Sequence, residues 1–242
     1  AGAGTQADPV KTLAEAVRRI PAVGYWRTFI LLKAGDEWTE DMALYNKAAT
    51  VAFDRYGSGA NPVVRGQILA DNVQRLVFCN IAFVHHGASS MQWLRVRGAN
   101  LFLYSASVSR GASAPSTAKC VRVELSQAYL YDLSINGFET ALEMYYAAFA
   151  VLRACTGVCG RVAYVHGSVL LGDGTWPDYV AAKYATAAGG KALSEGTCAA
   201  GQLPAAASVP AVCTYACTAT GSWRGASLYA DYGDRLYQGA LD

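Results

Sequence analysis

The sequence predicts an all-β fold, a parallel β-helix (solenoid) with a short N-terminal capping helix and a loop-rich C-terminal segment. Three observations carry this expectation. The chain repeats itself at intervals of 25 and 27 residues, and apolar and polar residues alternate inside each repeat. The composition is rich in strand and turn formers, with 24 Gly and 15 Tyr, while only 16% of residues are charged. With 53% hydrophobic residues over 242 positions, disorder is excluded and a folded core is expected.

The first element is a helix. Asp8 reads as its cap and Pro9 as its first helical position, and Val10, Leu13, Ala14 and Val17 recur at helical spacing, so it should run to about Ile20. A strand over residues 28–34 ends in a Gly35-Asp36 turn, and YGSGANPVVRG then leads through turn residues into another short strand.

The repeat begins here. A shift of 27 places aligns Leu94-Arg95-Val96 with Val121-Arg122-Val123, and Leu101 to Val108 with Ala128 to Ile135, without a gap. A shift of 25 adds residues 77–83 as a third copy. Continuous strand alternation then sends Phe83/Val108/Ile135, Ile81/Ala106/Leu133, Cys79/Tyr104/Tyr131 and Val77/Phe102/Tyr129 inward. Asn80/Ser105/Asp132 and Ala82/Ser107/Ser134 face outward, as do the apolar residues Phe78, Leu103 and Leu130. Period two along the strand with a long period along the chain means stacked coils, each burying its face on its neighbours. A second strand series lies between these, at residues 93–96, 120–125, 141–146 and 161–165. After Gly137 the register leaves either Thr156 or Val158 beneath Ile135. The β-helix with its N-terminal cap is assigned to residues 1–175, and 176–242 to a loop-rich cap or oligomerisation segment, where Trp223, Tyr229, Tyr232 and Tyr237 offer contacts.

TLAEAVRRIP, a strand ending in KAGDEW, YGSGANPVVRG, and coils carrying NLFLYSASV and AYLYDLSI together resemble the pectate-lyase-like β-helix family, especially phage tailspikes and tail fibres. The resemblance covers about residues 8–175. It implies a right-handed parallel β-helix, frequent homotrimers or attachment to other virion proteins, a virion or extracellular location, and binding or cleavage of bacterial surface polysaccharide. No catalytic motif of the family carries over, and the calcium-binding aspartate cluster of pectate lyases is not seen.

The net charge of +2 and the lack of a basic block exclude an electrostatic footprint for nucleic acid. No apolar run reaches the roughly 20 residues of a membrane-spanning helix. The abrupt ends read as a fragment of a longer polypeptide. Neither a cofactor nor a metal is implied. The four-thiolate arrangement suggested by Cys155/Cys159 and Cys213/Cys217 has three-residue gaps rather than the usual two, so Cys79, Cys120, Cys155, Cys159, Cys198, Cys213 and Cys217 read as mostly reduced, small buried hydrophobes. His85 and His86 read as turn residues, since neighbours on a strand point to opposite faces; His166 is the only other histidine. No G-x-S-x-G elbow is present, and Gly57, Gly59 and Gly66 lack the Lys-Ser/Thr of a phosphate loop.

Polysaccharide hydrolysis needs two carboxyl groups roughly 5 to 10 Å apart. Asp132 and Glu124 are the candidates, with Glu139 and Glu143 behind them; the alternative is that they solvate the exterior or pair with Arg95 and Arg122. For ligand binding the candidates are Trp93, Arg95 and Arg122. An indole beside guanidinium groups on an exterior strand suits a sugar ring, whereas packing under a loop or another subunit would remove the indole from that role. A non-catalytic, polysaccharide-binding fibre or spike is the expected function, and a polysaccharide depolymerase on the same scaffold is the alternative. A homotrimer or assembly-bound oligomer is expected from the apolar column Phe78/Leu103/Leu130.

Overall fold

The computed structural model describes residues 9–23, 27–87, 92–173 and 178–194. They form a parallel β-solenoid of about six turns, with a single short helix near the N-terminus. The helix, Leu13–Arg19, starts later than its sequence suggests. Thr12 rather than Asp8 is its cap, accepting a hydrogen bond from the backbone N–H of Glu15 at 3.2 Å. Thr12-Leu13-Ala14-Glu15 fits the capping-box pattern, and Glu15 also ties Arg18 and Arg19 at 2.7 Å each. Leu13, Val17 and Ile20 are buried in the main core, so the helix covers the first coil.

The repeat registers hold residue by residue. Val121 lies opposite Leu94, Tyr131 opposite Tyr104 and Ile135 opposite Val108, while Cys79 pairs with Tyr104 and Phe83 with Val108. Each middle coil has a six-residue strand such as Gln92–Arg97, a five-residue strand such as Asn100–Tyr104 and a short one such as Ser107–Arg110. The ladder extends past residue 175, with Asp178–Ala187 on Thr156–His166 and Lys191–Ser194 on Val169–Asp173. The aromatic residues expected at the C-terminal end, and Cys198, Cys213 and Cys217, lie outside the described residues.

Alternation does not run unbroken through a coil, and this corrects two of the inward columns. Asn80, Ser105, Asp132 and Ala154 stack at one corner with φ of 53°, 45°, 51° and 50°. A residue in this left-handed region turns the chain without taking a strand's in-out step, so the parity flips across it. Leu133 and Ile135 face inward as expected, but before the corner it is Phe78, Leu103 and Leu130 that are fully buried. Tyr104, Tyr129 and Tyr131 sit outside and half-buried, with Val77, Cys79 and Phe102 beside them in a separate external cluster. The column Phe78/Leu103/Leu130 is therefore core, and the argument for an oligomer drawn from it falls.

Beneath Ile135 lies neither Thr156 nor Val158 but Gly157, at φ 110°. A Cβ there would meet the Ile135 carbonyl oxygen at 2.1 Å, so the coils approach too closely for any side chain. His85, expected in a turn, ends the strand Ala82–His85 and is fully buried, stacked 6.2 Å from Phe138.

Candidate functional site

The strands Gln92–Arg97, Lys119–Glu124 and Thr140–Tyr145, with residues 161–166, build one side of the solenoid. Val96, Val123, Met144 and Val165 point inward. Their neighbours place Arg95, Arg122, Glu143 and Tyr164 in one external column, and Arg97, Glu124, Tyr145 and His166 in the next. Sequence reasoning put Arg95, Arg122 and Glu124 on one surface, and the structure brings them together.

Trp93 is a correction. It is 0% exposed and its ring lies 4.8 Å from that of Phe83. Each coil turns two consecutive side chains inward here, Trp93-Leu94, Cys120-Val121, Ala141-Leu142 and Val162-Ala163, so simple alternation fails at the start of the strand. The indole belongs to the core and offers no face to a sugar.

Glu124 is the hub of the surface. Its side chain is 4% exposed, Arg95 donates to Oε2 at 3.0 Å, and Arg122 donates to Oε1 at 2.5 Å. Burial works to raise its pKa, but the hydrogen bonds from Arg95 and Arg122 outweigh this and hold the carboxyl below its usual range. The Arg122 guanidinium also lies 4.5 Å from the centre of the Tyr145 ring. Tyr145 in turn sits 5.8 Å from Tyr164 and 5.7 Å from His166. Two arginines are thus held in fixed positions beside a row of half-buried rings.

Glu143 lies across from Arg122 on the next coil and is 7% exposed. Burial pushes its pKa up against the pull of Lys119 and Arg122. Among the described residues no hydrogen bond reaches its carboxylate. Glu139 pairs instead with Lys119. With Glu124 opposite Tyr145, the two buried glutamates are diagonal neighbours, about 8 Å apart at Cα from strand spacing and rise.

Asp132 and Glu124 share no groove. A corner and the whole strand Gln127–Tyr131, roughly 16 Å of extended chain, lie between them. Asp132 is exposed at its corner, where it accepts a hydrogen bond from Ser105 Oγ at 3.0 Å. Cys79, Cys120, Cys155 and Cys159 are buried free thiols, and burial pushes Cys79 and Cys155 up to about 12, which makes them poor nucleophiles. Among the described residues no group of three or more His, Cys, Asp or Glu could hold a metal ion.

The adjoining side, residues 76–79 with Asn100–Tyr104, Gln127–Tyr131 and Phe149–Arg153, carries an external aromatic ladder. Phe102 stacks on Tyr129 at 4.7 Å and Tyr104 on Tyr131 at 5.2 Å, with interplanar angles of 11° and 16°. The sequence shows these residues but puts them inside. Their faces are taken up by one another and by the guanidinium groups of Arg75, 5.5 Å from the Phe102 ring centre, and Arg153, 6.0 Å from that of Tyr131.

Comparison of the chain with models of known protein families, with curated proteins and with solved structures gives no match.

Proposed function

We propose that this chain is a virion or extracellular β-solenoid of the tail-fibre or tailspike type that binds bacterial surface polysaccharide through the Arg95/Arg122 face. The observation that carries the reading is the Arg95–Glu124–Arg122 bridge beside Tyr145. Glu124 fixes both guanidinium groups before a ligand arrives, so less side-chain freedom is lost on binding. Planar donors match vicinal hydroxyls or a sugar carboxylate, and tyrosine rings supply apolar surface with a polar edge. Assembly as a trimer, or on other virion proteins, accords with Phe29 at 42% and Leu31 at 56% exposure on the terminal strand Thr28–Lys33. The test is binding to a panel of immobilised capsular polysaccharides and lipopolysaccharides. Saturable binding that weakens about tenfold in Arg122→Gln is expected, and no binding to any member would refute the proposal.

A second reading, depolymerase activity, is favoured by one observation. Glu124 and Glu143 are neighbours whose surroundings drive their ionisation in opposite directions, the relation between a carboxylate and a proton donor in glycoside hydrolysis. Shortening of a bound polysaccharide that is abolished by Glu143→Gln would establish it, and unchanged chain length with wild-type protein would exclude it for that polymer.

A further inference from the structure

Where the charged side meets the aromatic side, the corner residues Asn46, Asn72, Gly98, Leu125, Tyr146, Gly167 and Ala188 stack in register, all with φ between 47° and 60°. Asn and Gly accept this left-handed backbone readily. Leu125 and Tyr146 do not, yet they occupy it in adjacent middle coils and are 56% and 57% exposed. Packing returns little for this: the Leu125 side chain points into solvent, and Tyr146 has the neighbouring Tyr145 ring at 6.0 Å.

Beside this ridge lies a shallow groove of about 500 Å³, open to solvent along much of its length and lined by Gln74, Asn100, Gln127, Leu125 and Phe149 among others, with no ionisable side chain in its lining. Its floor is rigid. Ser126 Oγ accepts from the Ala99 N–H at 3.0 Å and donates to the Glu124 carbonyl at 2.6 Å, while the Phe149 N–H donates to the Ser126 carbonyl at 3.0 Å. Tyr129 donates its hydroxyl to Gln127 Oε1 at 3.2 Å, which orients that amide.

We propose that this corner groove is a binding site for a neutral hexopyranose unit, separate from the charged face. Side-chain amides combine a donor pair and an acceptor, matching the vicinal hydroxyls of a pyranose ring. Phe149 and Leu125 supply the apolar surface against which its C–H face packs. An uncharged lining gives no counter-charge for a sugar acid or a phosphate. The volume lies within the usual range for small-ligand sites. The inference rests on the reading of this chain as a glycan-binding protein, but it places the contact on different residues.

The test uses the full chain and a set of neutral cello-, malto-, manno- and galacto-oligosaccharides, titrated calorimetrically. Leu125→Gly and Gln127→Ala are measured beside wild type. Saturable binding to at least one oligosaccharide is expected, weakened about tenfold or more by each substitution. Leu125→Gly should at the same time melt no lower than wild type, which separates loss of a ligand contact from loss of fold. No binding by wild type, or binding that both variants retain at wild-type strength, overturns the inference. If the neutral sugars fail while surface polysaccharide still binds in an Arg122-dependent way, the groove alone is refuted and the charged-face proposal stands. Failure of every glycan refutes both.

Discussion

Gly157 lies directly beneath Ile135 in the parallel register, with its backbone so close that an added Cβ would meet the Ile135 carbonyl oxygen at 2.1 Å. Gly157→Ala therefore combines a steric clash with backbone at φ 110°. A loss of about 3 kcal/mol or more is expected in chemical denaturation. An unchanged midpoint would mean that the fourth coil is set in another register.

The parity of each coil can be tested at neighbouring residues. Leu130 and Leu133 are 0% and 1% exposed, so Leu130→Ala and Leu133→Ala should each lose about 2 to 5 kcal/mol. Asp132 stands exposed at the corner between them, and Asp132→Ser, which restores the residue of the preceding coil, should change stability by about 0.5 kcal/mol or less. Continuous alternation would instead leave Leu130 outside and make its truncation harmless.

The repeat was legible because stacked coils impose like residues at like positions: the shifts of 27 and 25 that align Leu94 with Val121 and Val77 with Phe102 are the pairings of the sheet. Facing was legible only on one side of a corner. Asn80 and Asp132 belong to residue types that tolerate a left-handed φ, but both also occur in strands and Ser105 carries no such sign, so the column reads as ordinary strand and the facing of residues 77–79, 102–104 and 129–131 just before it is inverted. Trp93 was misplaced for a related reason, since two successive residues turn inward where its strand begins. Arg95 and Arg122 were legible as like residues on neighbouring coils, with Glu124, which lies opposite Arg97, as a carboxylate able to pair with them. Its relation to Glu143 depends on a 21-residue step, from Arg122 to Glu143, shorter than the repeat recognised in the sequence.

Leu125→Gly tests backbone strain apart from any ligand. Leu125 is 56% exposed at φ 49°, so little burial is lost and the unfavourable left-handed conformation is relieved. A gain of up to about 1 kcal/mol is expected, offset in part by glycine's greater freedom when unfolded. Marked destabilisation would show that Leu125 is packed.

The two buried glutamates should affect the pH dependence of stability with opposite signs. Glu124 has a lowered folded pKa, so its favourable contribution is present above its unfolded value and is lost as pH falls through the folded one. Glu143 has a raised folded pKa; it is unstrained when protonated, below its unfolded value, and becomes unfavourable as pH rises through the folded one. In thermal melts Glu124→Gln should therefore be less stable than wild type at about pH 7, and Glu143→Gln more stable. Both differences should shrink toward about pH 4. The same sign for both variants at neutral pH would contradict the assignment.

Polysaccharide binding at the charged face is tested most directly by arginine-specific chemical footprinting, read by mass spectrometry, with and without the surface polysaccharide that the panel shows to bind. Arg95 and Arg122 should be modified more slowly when the polysaccharide is bound. Arg55 and Arg65, which bond Asn61 and Glu37 near the first coils, should react at the same rate in both states. Equal modification of Arg95 and Arg122 with and without a saturating polysaccharide would contradict the proposal, because the ligand would then lie elsewhere on the molecule.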